Sequence, residues 1–179
     1  YKKLRSINPA PFSSYLAFDD VAIISSSPER FLKVNDRHVQ TRPIKGTRPR
    51  GGDIKTDEMM KQALLASQKD NAELTMIIDL ERNDLGRVCD YGSVKVSERK
   101  VLEAYPTVYH LVSTIEGDLY ERYDFIDLLK ATFPGGSITG APKIRAMQII
   151  DELEPTQRSV YTGSIGYIGF NGDADLNIA

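Results

Sequence analysis

The chain has 179 residues, and its apolar content of 41% suits a globular fold with one sizeable core. The formal net charge of −2 provides no basic surface, so we expect neither nucleic acid nor an anionic membrane as a partner. No apolar run approaches the roughly 18 residues of a membrane-spanning helix, and the single cysteine, Cys89, cannot form an internal disulfide. These features are typical of a cytoplasmic protein.

The sequence at both termini is unlike that of a complete protein. The first residue is tyrosine, and the last five residues, 175–179, have the pattern of a strand that stops midway. We therefore expect residues 1–179 to be one part of a larger domain that is truncated at both ends.

Turn signals divide the N-terminal part into short strands followed by helices. Asp19-Asp20 and Asn35-Asp36 each separate two apolar runs, so both regions are predicted to be β-hairpins. The next segment, 43–47, is predicted to be a tight loop that carries a lysine. Apolar residues at helical spacing then predict helices over 53–69 and 70–81.

The C-terminal part mixes strands and helices in the same way. Period-two or β-rich patterns predict strands over 93–96, 108–115 and 164–170. Asp124 is predicted to cap a helix that runs through residue 130, and 139–142 is predicted to open another. Strand pairs separated by long helices favour an α+β layered fold over a strict βαβ alternation.

The glycine-rich segment 133–143 invites comparison with a phosphate-binding loop. Gly135 and Gly140 have the right spacing, but alanine and Pro142 stand where the phosphate-binding lysine would follow. The nucleotide-loop interpretation therefore fails. The glycines and the start of the next helix would still suit a carboxylate ligand, and a turn that serves only packing is the alternative.

Three interpretations of Lys45 are open: it is a nucleophile, an anion binder or a solvated charge. Arg42, Arg48 and Arg50 lie within five residues of it. Neighbouring cations favour a neutral amine, which a nucleophile needs, and they would also attract an anionic substrate. From charge alone, however, a solvated basic loop is the favoured interpretation.

For three other polar side chains, the sequence allows both a functional and a purely structural interpretation. Glu29 is either a general acid or a surface partner of Arg30. Glu73 is either a metal ligand or an exposed helix acid, and His110 is either a site residue or a satisfied core residue. Asp79, Arg82, Asn83 and Asp84 are predicted to form a buried hydrogen-bonded corner.

Four motifs together resemble the chorismate-utilising enzymes, a family that includes the anthranilate, aminodeoxychorismate, isochorismate and salicylate synthases. The motifs are 27–31 (Ser-Pro-Glu-Arg-Phe), 76–87, 110–113 and 136–143 (Gly-Ser-Ile-Thr-Gly-Ala-Pro-Lys). The resemblance covers essentially all 179 residues. It implies the anthranilate synthase-like α+β fold, with layered sheets flanked by helices, and it makes residues 1–179 part of the chorismate-binding catalytic domain.

Within this family, Pro-Ile-Lys-Gly-Thr at 43–47 resembles the aminodeoxychorismate synthase branch, since anthranilate synthases usually have alanine at the position of Lys45. The resemblance implies that Lys45 attacks C2 of chorismate and expels the C4 hydroxyl. Ammonia from a glutamine amidotransferase, separate or fused, then enters at C4. The product, 4-amino-4-deoxychorismate, leads to para-aminobenzoate and folate. The alternatives are anthranilate synthase component I and a non-catalytic module with the same fold.

The resemblance also implies the roles of the other site residues. Glu29 acts as the general acid/base, and His110 lies beside the C4 substituent. Glu73 is the first ligand of a Mg²⁺ cofactor whose second glutamate ligand would follow Ala179. Apart from the resemblance, Asp70 lies three residues before Glu73 on the same helix face, and we expect it to orient the metal's waters. The residues expected to contact the substrate are Gly46, Thr47, Ser137 and Tyr161.

Overall fold

The computed structural model describes residues 1–179, and two β-hairpins form its N-terminal part. After a short helix, α1 (Lys2–Ile7), strands β1 (Phe12–Ala17) and β2 (Ala22–Ser27) pair as a separate two-stranded sheet. Strands β3 (Arg30–Asn35) and β4 (His38–Arg42) form the second hairpin. The structure thus confirms both predicted hairpins.

The main sheet has seven antiparallel strands, with β7 at the junction of three partners. One edge of β7 pairs along its length with β6, while the other edge pairs with β4 and then β5. The sheet continues from β4 through β3 and β9 to β8. The remaining bounds are β5 Ile44–Pro49, β6 Lys95–Ala104, β7 Val108–Asp118, β8 Gly166–Ile168 and β9 Ala174–Asn177.

Strand β6 is much longer than the predicted strand over 93–96. Its pairing with β7 shifts register between Val96 and Glu98 and again between Glu98 and Val101. Such bulges add unpaired residues, so the alternation of apolar and polar side chains is interrupted. The period-two pattern that marks a strand in a sequence therefore ends before the strand does.

Side-chain caps define where three of the helices begin. Asp53, Ser67 and Asp124 accept hydrogen bonds from backbone N–H groups in the first turn of α2, α3 and α4. The predicted break between the first two helices, placed between 69 and 70, lies at Ser67. The bounds are α2 Ile54–Ala66, α3 Gln68–Gly86, α4 Phe125–Thr132 and α5 Lys143–Leu153. None of these helices combines the length and apolarity needed to cross a membrane.

Helices α2 and α3 pack against β5 and β7, and α4 packs against α3. The core lies between these helices and the sheet. It includes Leu64 and Leu74 from the helices and Leu111 and Ile115 from β7. Because helices cover a largely antiparallel sheet and a second small sheet lies beside it, the predicted layered α+β fold is confirmed.

The segment around Lys45 is a bulged strand, so the prediction of a tight loop was wrong. Ile44 pairs with Val112 and Thr47 pairs with His110, which leaves one extra residue on β5. The bulge needs Gly46, whose φ is +86°. It also brings α3 close, because a β-carbon at Gly46 would lie only 2.9 Å from the β-carbon of Asp70.

We predict that Gly46→Ala destabilises the protein, because alanine at positive φ is strained and its methyl group would clash with Asp70. The expected loss in the free energy of unfolding is about 1–3 kcal/mol. Urea denaturation measures it. The matched control is Gly52→Ala, since a β-carbon there meets nothing within 4 Å, and its expected change is below about 0.5 kcal/mol. Equal effects of the two substitutions would contradict the prediction.

Candidate active site

The amine of Lys45 is directed into the protein. Its Nζ donates a hydrogen bond of 2.7 Å to the carbonyl oxygen of Ser137, and the side chain is partly buried. Ser137 lies in a 3₁₀ turn, Gly136–Ile138, that is buried next to α3. The bulge in β5 thus points Lys45 at this turn, which excludes the interpretation of Lys45 as a solvated charge.

Glu29 lies beside the same turn, in the connection between β2 and β3. Its Oε1 accepts a hydrogen bond of 3.2 Å from the N–H of Ile44. Burial raises the pKa of the Glu29 carboxyl, while hydrogen bonds from Ser137 and Ile44 and the charge of Lys45 oppose the rise. A carboxyl with a raised pKa is suited to acid–base chemistry near neutrality.

The alternative in which Glu29 forms a surface pair with Arg30 is wrong. Arg30 instead binds both carboxylate oxygens of Asp175, at 2.9 and 3.0 Å, and it also donates to Gln40. Arg30 therefore does not hold Glu29, whose carboxyl interacts with Ser137 and Lys45 instead.

His110 lies opposite Thr47 in the pairing of β7 with β5. The Thr47 hydroxyl oxygen and His110 Nδ1 are 2.9 Å apart, and the imidazole packs edge-on against the Tyr105 ring. Burial lowers the pKa of His110, although the Glu103 carboxylate and the backbone of Gly46 act in the opposite direction. His110 is therefore neutral at pH 7 and suited to a polar contact.

The three arginines near Lys45 do not supply the cationic field that the sequence suggested. Each binds a carboxylate: the closest contacts are 2.6 Å for Arg42 with Glu103, 2.9 Å for Arg48 with Asp70, and 2.7 Å for Arg50 with Asp57. These pairs neutralise the positive charge locally, so the argument that the arginines activate Lys45 or attract the substrate is not supported. These ion pairs could not be predicted from the local sequence, because each carboxylate lies on a different element from its arginine.

Glu73 is accessible to solvent on helix α3. Its side chain is 42% exposed, with Lys69 Nζ 3.8 Å away. Asp70, three residues earlier, is bound by Arg48. No group of three or more His, Cys, Asp or Glu in the chain is placed to hold a metal ion. A single accessible carboxylate fits Mg²⁺, which commonly takes one or two carboxylates and several waters. The metal-binding role of Glu73 stays a prediction.

The predicted substrate contacts divide into two sets. Gly46, Thr47 and Ser137 lie with Lys45 around the bulge and the turn. Tyr161 lies on the loop after α5, is 71% exposed, and makes no side-chain hydrogen bond. The structure therefore does not join Tyr161 to the other residues of the site.

The four residues of the predicted corner all lie on α3, and the prediction that they form a buried corner was largely wrong. Asp79, Arg82 and Asn83 are exposed, whereas Asp84 is buried. Lys143 binds Asp84 and the carbonyl oxygens of Thr132 and Pro134, so the lysine of the glycine-rich segment serves the fold.

The comparison with known families agrees with this geometry. The model of a family described as chorismate binding enzyme matches residues 1–179. The chain belongs to this family. It is 51% identical over 178 residues to "Aminodeoxychorismate synthase component 1" of Bacillus subtilis (strain 168), covering 99% of this chain and 38% of the relative. It is 54% identical to the protein of the same name in Escherichia coli (strain K12), covering 99% of this chain and 39% of the relative.

Other members of the chorismate-binding family are similar at nearly the same level. "Anthranilate synthase component 1" of Aquifex aeolicus (strain VF5) is 49% identical over 179 residues, covering 100% of this chain and 36% of that protein. The crystal structure of anthranilate synthase component I from Streptococcus pneumoniae TIGR4 superimposes with a TM-score of 0.89 at 41% identity, covering 100% of this chain and 39% of that one. The chain spans less than two fifths of the length of these relatives.

We predict that His110 titrates with a midpoint below 6.5 in the folded protein, because burial disfavours the imidazolium. NMR of the ring nitrogens measures it. Since the folded pKa is lower than the unfolded one, this residue contributes stability at neutral pH that is lost as the pH falls below 6.5. Glu103→Gln should lower the midpoint further, because it removes a charge that favours the imidazolium. Glu98→Gln is the control and should leave it unchanged; an upward shift in Glu103→Gln would contradict the prediction.

Proposed function

We propose that the protein aminates chorismate at C4 to give 4-amino-4-deoxychorismate. Membership of the chorismate-binding family supports the substrate, and the relatives named aminodeoxychorismate synthase component 1 support the reaction. The observation that carries the proposal is the position of Lys45, whose amine lies against Ser137 and beside the raised-pKa carboxyl of Glu29.

The reaction proceeds in two displacements. Lys45 Nζ forms a bond to C2 of chorismate, both ring double bonds shift by one position, and the C4–O bond breaks. Glu29 donates a proton to that oxygen, so it leaves as water instead of hydroxide. Ammonia then forms a bond to C4, both double bonds shift back, and the C2–N bond breaks to release Lys45 as the free amine. The balance is chorismate and ammonia converted to 4-amino-4-deoxychorismate and water.

The surrounding groups fit these roles. The Ser137 carbonyl accepts one N–H of Lys45, which orients the nitrogen without occupying its lone pair. Neutral His110 offers a polar contact to the C4 substituent without adding a charge. Thr47 holds the imidazole in place from the neighbouring strand.

Ammonia comes from a glutamine amidotransferase subunit or fused domain in this proposal. Glutamine hydrolysis of that type needs a thiolate nucleophile. The only thiol of the chain, Cys89, is buried, and burial raises its pKa to about 12. Cys89 is therefore unsuited to that chemistry. The phrase "component 1" in the relatives' names is consistent with a separate partner.

Glu73 would hold Mg²⁺ together with a second carboxylate from outside residues 1–179. When bound, the metal would neutralise a carboxylate of chorismate. Glu73 is the candidate because it is accessible, whereas the neighbouring Asp70 is bound by Arg48.

A second candidate is the conversion of chorismate to anthranilate. The relatives named anthranilate synthase match this chain at 49% identity, so overall similarity does not separate the two activities. Lys45 separates them, because a site that adds ammonia directly has no need of an internal amine.

We predict that Lys45→Ala lowers the rate of 4-amino-4-deoxychorismate formation by at least about a thousandfold, because the variant lacks the nucleophile. Any residual product should shift towards anthranilate. The assay supplies chorismate, Mg²⁺ and ammonium to the full-length protein and identifies products by chromatography. Lys55→Ala, at an exposed position on α2, is the control and should keep the parental rate. An unchanged rate in Lys45→Ala would remove Lys45 from the mechanism.

We predict that Glu73→Gln raises the Kd for Mg²⁺ by at least about tenfold, because the amide removes a charged ligand. Isothermal titration calorimetry on the full-length protein measures the affinity without relying on turnover. Glu58→Gln tests the loss of an exposed helix acid elsewhere and should leave the Kd unchanged. If both variants bind Mg²⁺ like the parent, Glu73 is not a ligand.

A further inference from the structure

Glu81 is an acid on the buried face of α3. The apolar side chains Leu74, Ile77 and Ile78 share that face, and Glu81 itself is only 7% exposed. Its Oε2 accepts a hydrogen bond of 2.9 Å from the Thr41 hydroxyl on β4. No lysine, arginine or histidine nitrogen lies within 4 Å of its carboxyl oxygens, so Glu81 is a buried acid without an ion pair.

The charged groups that face Glu81 favour its neutral form. Glu29 and Asp84 place negative charge near it, and the one nearby cation, Lys143, is already bound by Asp84 and two backbone carbonyls. Burial, followed by the charges of Glu29 and Asp84, raises the pKa of Glu81 to about 8, although the Thr41 hydrogen bond and Lys143 oppose the rise.

Glu81 also packs directly against the Gly136–Ile138 turn, which contacts both Glu29 and Lys45. A β-carbon at Gly136 would lie 3.2 Å from Glu81 Cγ, so the turn and the acid are in close contact. The next residue, Ser137, accepts the Lys45 amine at its carbonyl and interacts with Glu29 through its hydroxyl. The turn therefore links Glu81 to Glu29 and Lys45, the two residues with chemical roles in the proposed reaction.

We propose that Glu81 is a positioning residue for Glu29 and Lys45: hydrogen-bonded to Thr41 and packed against Gly136, it supports the turn that carries Ser137. In its neutral form it also keeps a second negative charge away from Glu29. This inference rests on the proposed function, which gives Glu29 and Lys45 their roles. If Glu81 ionised, the new charge would lie under the turn and repel the Glu29 carboxylate, and the positions of Ser137 and Lys45 would change with it.

Two substitutions in the full-length protein test the proposal through kcat and KM. Glu81→Gln is permanently neutral and keeps the acceptor for Thr41, so its kcat at pH 7 should stay within about threefold of the parent. Its kcat should also fall less than that of the parent above about pH 8, because glutamine cannot ionise. Glu81→Leu removes the hydrogen bond, and its kcat should fall by about tenfold while KM for chorismate changes less.

Stability as a function of pH gives a second readout that needs no turnover. The folded pKa of Glu81 is higher than the ordinary value of 4.5, so the parent loses stability as the pH rises from about 4.5 to about 8. Glu81→Gln lacks this component. Its folded-to-unfolded ratio relative to the parent should rise by up to about tenfold per pH unit in that window and level off above it. Asp79→Asn, at an exposed position on the same helix, is the control and should show no such rise.

The outcomes separate the inference from the function on which it rests. If the parent forms 4-amino-4-deoxychorismate but Glu81→Leu keeps the parental kcat, or Glu81→Gln loses as much as Glu81→Leu, the inference is overturned. A flat stability ratio for Glu81→Gln also overturns it, since Glu81 would then be ionised in the folded protein. If the parent forms no such product while the stability ratio rises as expected, the proposed function fails. Glu81 is then a buried neutral acid with a structural role only.

Discussion

The hydrogen bond from Lys45 Nζ to the carbonyl oxygen of Ser137 joins two segments that lie 92 residues apart, and the arrangement of the site depends on it. Both partners are fixed by backbone structure. The bulge in β5 aims Lys45, while the Gly136–Ile138 turn holds Ser137 against α3. Glu29 interacts with both partners, and its position follows from theirs. The amine and the acid therefore meet only when sheet, turn and helix are all assembled.

Charge pairing divides the acids of the molecule into two groups. Asp70, Asp57 and Glu103 bind arginines and support the fold as carboxylates. Glu29 and Glu81 form no ion pair, and burial raises the pKa of both carboxyls. Groups with perturbed pKa values tend to mark functional sites, and here both perturbed carboxyls lie next to the same turn. Two acids with raised pKa values therefore lie near Lys45, while the neighbouring arginines and carboxylates neutralise one another.

Local signals in the sequence predicted the elements that local contacts determine. Asn35-Asp36 and Asp124 act within a few residues, and the hairpin and helix they predicted are present. The sequence did not reveal that residues 44–47 belong to a strand, because the partner strand β7 lies more than 60 residues away. Motif resemblance predicted the site residues, but it could not show which arginines are neutralised or that Glu81 is a buried acid, since both depend on packing between elements. Only the helical spacing of Glu81 with Leu74, Ile77 and Ile78 hinted at its burial.

Helix α3 connects the proposed metal position with the acid–amine pair. Glu73 and Glu81 are eight residues apart, which corresponds to about 12 Å along the helix and a rotation of about 80° around it. Glu73 is therefore partly exposed while Glu81 faces the sheet. Both ends of this stretch are fixed: Asp70 binds Arg48 of β5 near one end, and Glu81 contacts Thr41 and Gly136 at the other. A shift of α3 would thus move both regions at once. The separation between Glu73 and Lys45 is set by the geometry of a rigid helix on a sheet, which holds side chains more closely in place than loops would.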